Sequence, residues 1–355
     1  MRKILYHPFF IKLLHWEYWS FHVVYGPIYL YWFWLCIRAR SLFFFNTSNP
    51  TIKNGGFLME SKKEIYDLIP QQYYPKTIFC KMDCNEELLS LQVKQAGLTF
   101  PLIGKPDIGM RGLGVQKNET KEALWNYAQS SKVDFLIQAF VPFENEVGLF
   151  YYRYPGEEKG HISGIVGKEF LTVVGDGVST VETLLQQDMR FILQIPALQK
   201  EYGSALANIL DKDEKFLMVP YGNHSRGAKF IDLSNLIDTQ LTETMDRICK
   251  EIPGFYFGRM DVKYDTWEEL VKGNNFSIIE LNGAGSEPTH IYDPRHSIFF
   301  AWKEIIRHWN ILFRISYQNH ALHNMDYMNI RSGIQMFKEN NAYVKMISNY
   351  KKVVA

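Results

Sequence analysis

The sequence predicts an α+β protein, and three observations carry that reading. Runs rich in aromatic and β-branched residues recur between Val133 and Leu281, as strands do. Stretches such as Ser234–Ile252 and Ile298–Ile315 place apolar residues at helical spacing. The 355 residues, 46% of them apolar, can bury a sizeable core in two or three lobes.

Composition narrows the class. A net charge of +1 with 22% charged residues gives no reason to expect a nucleic-acid partner. Cys36, Cys80, Cys84 and Cys249 form no paired framework, which fits a reduced, cytoplasmic protein.

Residues 1–45 form an aromatic appendage. No Asp, Glu, Lys or Arg occurs from Tyr18 through Ile37, a length that just spans a bilayer. Gly26 and Pro27 near its middle, and Tyr and Trp spread throughout it, count against a span. No small-residue cleavage site marks an ordinary signal peptide. Three readings stay open: a helix docked on the body, an interfacial segment resting on a membrane, or an anchor. Arg38 and Arg40 follow the run, so an anchored form keeps the rest of the chain in the cytoplasm.

Residues 46–63 read as a loop, with Asn49-Pro50 and Gly55-Gly56, that either lines a pocket or only connects. Ile65–Ile69 is a short helix closed by Pro70, and Glu86–Ala96 is a helix ended by Gly97. In Phe100–Val115 an apolar run reaches Lys105-Pro106, and a loop with Gly109, Gly112 and Gly114 follows. Glycines let backbone N–H groups approach phosphate oxygens, and a lysine neutralises their charge. The spacing is neither a Walker A loop nor a dinucleotide fingerprint.

Val133–Val141 reads as a strand running into the linker Pro142–Asn145. Val147–Tyr154 and Gly160–Glu169 follow as strands. The chain then turns at Gly175-Asp176-Gly177, and Ser179 or Thr180 caps a helix. Asp188–Asp213 is helical, and Phe216–Asp232 returns to strand character around a turn with His224 and Arg226. Arg226 is suited to a substrate carboxylate or a phosphate. His224 serves as a general base or as a structural histidine. A last helix, Ser332–Lys352, closes the chain.

Gly254–Pro288 organises the rest. Phe255–Tyr264 and Phe276–Leu281 read as strands joined by a polar excursion. Alternation puts Arg259, Asp261 and Lys263 on one face, and Ile278, Glu280 and Asn282 on one face of the second strand. If the strands pair, Asp261, Glu280 and Asn282 meet as a set of hard oxygen donors suited to Mg²⁺ carrying a nucleotide phosphate. Arg259 beside them suits a phosphate or an oxyanion.

The pair R-x-D and E-x-N, with K-P-D-x-G-x-R-G-x-G-V at 105–115, resembles the ATP-grasp superfamily, nearest to D-alanine–D-alanine ligase and other carboxylate–amine ligases. The resemblance covers roughly Phe100 to Pro294. It implies an ATP-grasp fold, two α+β lobes clasping ATP, and an ADP-forming ligase for small-molecule carboxylate and amine substrates, with ATP and Mg²⁺ (or Mn²⁺) as cofactors; the alternatives are an ATP-grasp kinase that phosphorylates an alcohol and a membrane-associated nucleotide-binding protein without turnover. It implies Asp261, Glu280 and Asn282 as metal ligands, and Arg259 as the oxyanion stabiliser. Lys105, Lys168 and the loop Gly109, Arg111, Gly112, Gly114 grip the phosphates. Gln138 stands where the family has a Glu beside adenine, a departure, and Phe140 and Val141 offer backbone groups. Glu146, with Glu144 as the rival, takes the ribose. The family's earlier nucleotide-contacting lysine has only Lys81 and Lys94 as candidates. The expected organisation is the appendage 1–45, a substrate region 46–97, an ATP-grasp domain 98–294 and C-terminal helices 295–355.

Overall fold

The structure is a computed structural model and describes residues 6–109, 112–219 and 227–350, with side chains as far as Ile347. Arg111, His224 and Arg226 therefore lie outside the described residues. The strands, in chain order, are β1 (Thr77–Cys80), β2 (Leu102–Pro106), β3 (Gln116–Asn118), β4 (Phe135–Ala139), β5 (Asn145–Tyr152), β6 (His161–Glu169), β7 (Leu171–Val174), β8 (Lys215–Val219), β9 (Lys229–Asp232), β10 (Phe257–Tyr264) and β11 (Phe276–Asn282). Helices and antiparallel sheets alternate along the chain, as the α+β expectation has it.

The chain divides into two compact units. The larger comprises residues 30–165, 233–288 and 305–355. It holds the antiparallel sheet β1-β4-β2-β3 and the sheet β11-β10-β5-β6. The helix Thr239–Lys250 covers the second sheet. Asp238 caps it by accepting from Leu241 N, and its face of Met245, Ile248 and Cys249 packs on Met260, Val262, Ile278 and Leu281. The helices Glu86–Gln95 and Lys121–Ser130 cover one face of the first sheet, where Leu89, Leu124 and Tyr127 meet Leu102, Phe135 and Ile137. Gly97 follows the first of these at φ +61°, the left-handed turn the sequence suggests.

Tyr29–Ala39 buries Leu35 and Cys36 against Phe44, Phe45, Phe313 and Ile315. Its outer face is described below. The uncharged run is thus split into Phe21–Tyr25 and Tyr29–Ala39, and among the described residues no helix is long and apolar enough to cross a membrane.

The smaller unit comprises residues 1–29, 166–232 and 289–304. Here the end of β6 pairs with β9, and β7 pairs with β8. The strand character expected over Phe216–Asp232 is carried by two strands, β8 and β9. Thr180, not Ser179, caps the helix after the turn, accepting from Thr183 N, while the Asp176 carboxylate accepts from the Val178 and Ser179 N–H groups. Trp16 donates to His296 O at 2.8 Å, and Glu17 meets Arg190 at 3.6 Å, both side chains buried. This part of the appendage is docked.

Candidate active site

The strands β10 and β11 pair antiparallel, with Asp261 opposite Glu280 and Arg259 opposite Asn282. Directly opposed residues share a face, so all four side chains stand on one side of the sheet. The other side carries Met260 and Val262 into the core. Ile278 departs from the expectation. Met260 pairs with Leu281 and Asp261 with Glu280, but Val262 pairs with Ile278, which leaves Ile279 as an extra residue. This β-bulge breaks the alternation and sends Ile278 into the core. It also aims the Ile279 carbonyl at Tyr66 and Lys105, both of which donate to it.

Arg259 chelates Asp261, with Nε to Oδ1 at 2.9 Å and Nη2 to Oδ2 at 3.3 Å. Burial opposes the guanidinium charge, but Asp261 more than offsets it and holds Arg259 above its ordinary range. The Asn282 amide nitrogen is enclosed without a hydrogen-bond partner, so it is not spent on holding the fold.

Lys105 and Gln138 sit on neighbouring strands, β2 and β4. Ile103 opposes Gln138 and Lys105 opposes Leu136, so the two polar side chains are diagonal neighbours on one face. Lys105 Nζ donates to Gln138 Oε1 at 2.9 Å, to the Tyr66 hydroxyl at 2.8 Å and to Ile279 O at 3.2 Å. Gln138 Nε2 donates to Thr77 Oγ1 at 2.7 Å, which fixes its orientation. All three acceptors of Lys105 are neutral. Burial, seconded by the charge of Lys62, pulls its ammonium down to about 7.

Two residues of this region left no mark on the sequence reading. Lys62 Nζ donates to Gly109 O at 2.6 Å and stands 3.5 Å from Glu280 Oε1, so it joins the glycine loop to the strand pair. Glu60 lies two residues before it. One of its oxygens is enclosed without a partner, and burial pushes its carboxyl up. Ser61 caps the helix Lys62–Leu68 and donates to Asp107 Oδ1, which also accepts from Lys63 N. The Asn-Pro and Gly-Gly punctuation of 46–63 marked a loop and said nothing of its shape.

That loop is no plain connector. Asn49 is fully buried, accepts from Tyr256 N and Phe257 N, and donates to Gly55 O and Phe257 O. Ala284 N and Gly285 N donate to Gly55 O and Gly56 O, so the loop lies backbone to backbone on the segment after β11. A Cβ on Gly56, at φ +75°, would stand 2.7 Å from Gly283 Cα.

Gly112 and Gly114 both take positive φ in the turn between β2 and β3, and a Cβ on Gly112 would meet no atom of the described residues within 4 Å. Phe140 and Val141 lie in the linker from β4 to β5, and Lys117 stands over the Phe140 ring at 4.5 Å. Glu146 falls inside β5, opposite Lys263 and so on the face of Asp261, and is buried. Glu144 stays in the linker. Lys81 is spent on an exposed pair with Asp134, and Lys94 sits on the helix Glu86–Gln95. Lys168 belongs to the smaller unit, on β6 opposite Phe230.

Two carboxylates and an amide on opposed strand positions fit a hard divalent cation that takes its other ligands from phosphates and water. Among the described residues no cluster of three or more His, Cys, Asp or Glu is placed to hold a metal by itself.

No protein-family model matches the chain. In sequence it is similar to the glutathione biosynthesis bifunctional protein GshAB of Clostridium perfringens, 25% identical over 199 residues, 51% of this chain and 25% of that one. The chain thus spans about a quarter of that relative's length. Among solved structures it is similar to a bifunctional glutathione synthetase from Pasteurella multocida, with 16% identity, TM-score 0.37, and 72% of this chain and 38% of that one covered. It is also similar to the VanG D-Ala:D-Ser ligase from Enterococcus faecalis, with 16% identity, TM-score 0.39, and 71% and 61% covered. A third is D-alanine–D-alanine ligase from Bacillus anthracis, with 12% identity, TM-score 0.38, and 72% and 68% covered. Asp261, Glu280 and Asn282, the residues expected to hold a metal, share one face of one strand pair.

Proposed function

We propose that the chain is an ADP-forming carboxylate–amine ligase that works through an acyl phosphate. The observation that carries this reading is the continuity of one polar face. Asp261, Glu280 and Asn282 lie on β10 and β11, and the Ile279 carbonyl, at the bulge beside Glu280, accepts from Lys105, which also holds Gln138. Asp261, Glu280 and Asn282 would hold Mg²⁺ or Mn²⁺, which neutralises charge on the phosphates when bound. Lys105 and the turn of Gly109, Gly112 and Gly114 bind the phosphates. Lys62, fixed to Gly109 O, keeps that turn against Glu280. Gln138, the backbone of Phe140 and Val141, and Glu146 receive the nucleoside. Arg259 stabilises the oxyanion as the amine attacks the acyl carbon and phosphate leaves. Arg111, in the same turn, adds positive charge for the phosphates. The loop 46–62, with Glu60, lines the substrate side. The test is ATP-dependent phosphate release screened across amino acids and dipeptides. Release that needs both an acid and an amine supports the reading, and release indifferent to either overturns it.

We also propose that the uncharged run 18–37 contacts a membrane without crossing it, at the cytoplasmic side where ATP is. It is favoured by the outer face of Tyr29–Ala39, which is apolar and exposed.

A further inference from the structure

Apart from Arg38 in its last turn the helix Tyr29–Ala39 carries no charge, which suits a buried helix, yet only one face is buried. Leu30, Phe33, Trp34 and Ile37 recur at i, i+3, i+4 and i+7 and are 80%, 53%, 53% and 69% exposed. Beside this stripe runs a shallow groove of about 880 Å³, walled by Phe33, Ile37, Leu42 and Ile330. Arg40 and Arg331 also line it, and no Asp or Glu does. Neither arginine has a carboxylate partner among the described residues. The chain around the stripe is equally one-sided, with no acidic residue from Tyr18 through Met59.

We infer that this groove and stripe form a docking face for an anionic phospholipid bilayer. The inference rests on the membrane contact proposed above and is independent of the ligase reading. Apolar side chains and an outward tryptophan insert at the headgroup boundary, where an indole ring is favoured. The two arginines stand where lipid phosphates lie, and guanidinium groups bind phosphate in a fork. Charge decides the occupant: an uncharged apolar partner would leave both arginines unanswered, whereas an anionic headgroup layer answers them.

The test is flotation of the full chain with vesicles of phosphatidylcholine alone and of phosphatidylcholine mixed with phosphatidylglycerol. The two variants are Arg40→Gln/Arg331→Gln and Leu30→Gln/Ile37→Gln. All four positions are exposed, and a thermal melt confirms that the fold is kept. Wild type should float with the anionic vesicles, and each double variant should partition about tenfold or more less well. If wild type floats and both variants float equally, this face is not the site, although the membrane contact stands. If wild type floats with neither vesicle, both fall. If wild type dimerises in buffer and Leu30→Gln/Ile37→Gln makes it monomeric, a second copy covers the face and the lipid assignment is overturned.

Discussion

Lys105 is a buried ammonium whose three hydrogen-bond acceptors are all neutral, and that sets its behaviour. At about 7, against an ordinary 10.5, it is charged below neutrality and neutral above. Phosphate binding favours the charged form. ATP affinity should therefore fall as pH rises through about 7, and binding above that pH should take up a proton, seen in calorimetry in buffers of different ionisation enthalpy. Lys105→Arg should flatten the profile. Between pH 7 and 10.5 the unfolded chain holds a proton at this lysine that the folded chain lacks. Stability relative to Lys105→Met should therefore rise with pH across that window. Lys105→Ala should weaken ATP by about 1.5–3 kcal/mol, the range for a charged hydrogen bond, and leave adenosine nearly unchanged. Equal losses for both ligands would make the lysine structural. Glu280→Gln should cost about 10²–10³-fold in metal-dependent turnover with the fold intact, and wild-type rates would remove it from the metal site.

At the scale of elements, the loop 46–62 and the segment 283–285 behave as one piece. Asn49 satisfies two N–H groups and two carbonyls in a fully buried place. Asn49→Ala should cost about 3 kcal/mol or more, because buried groups left unpaired cost about 1–3 kcal/mol each. A urea midpoint that drops with an unchanged slope checks this, and a midpoint within error of wild type would contradict it. The alternation that puts Arg259 with Asp261, and Glu280 with Asn282, was legible, and their meeting followed once β10 and β11 were taken to pair. The bulge at Ile279 was not legible, since one extra residue in a strand leaves no trace in composition. Lys62 and Glu60 were hidden for another reason. The partners of Lys62, Gly109 and Glu280, are distant in sequence, and only the fold brings that lysine to a strand carboxylate, while Glu60 is marked by its burial alone.

For the whole molecule, the α+β character and the core helices were readable from periodicity. The division into units was not. The smaller unit collects three separated stretches, 1–29, 166–232 and 289–304, and no local pattern announces such a gathering. The N-terminal aromatics were ambiguous because burial and lipid both select Phe, Trp and Tyr. In the structure Trp16 is docked, whereas Leu30 and Ile37 face outward.

The central claim is that ATP activates a carboxylate. Hydroxylamine tests it most directly, because only an acyl phosphate yields a hydroxamate. With Mg²⁺, ATP and a panel of amino acids and dipeptides, the account predicts a hydroxamate formed together with ADP and phosphate, and lost in Glu280→Gln. A phosphorylated alcohol with no hydroxamate would make the protein a kinase and contradict it.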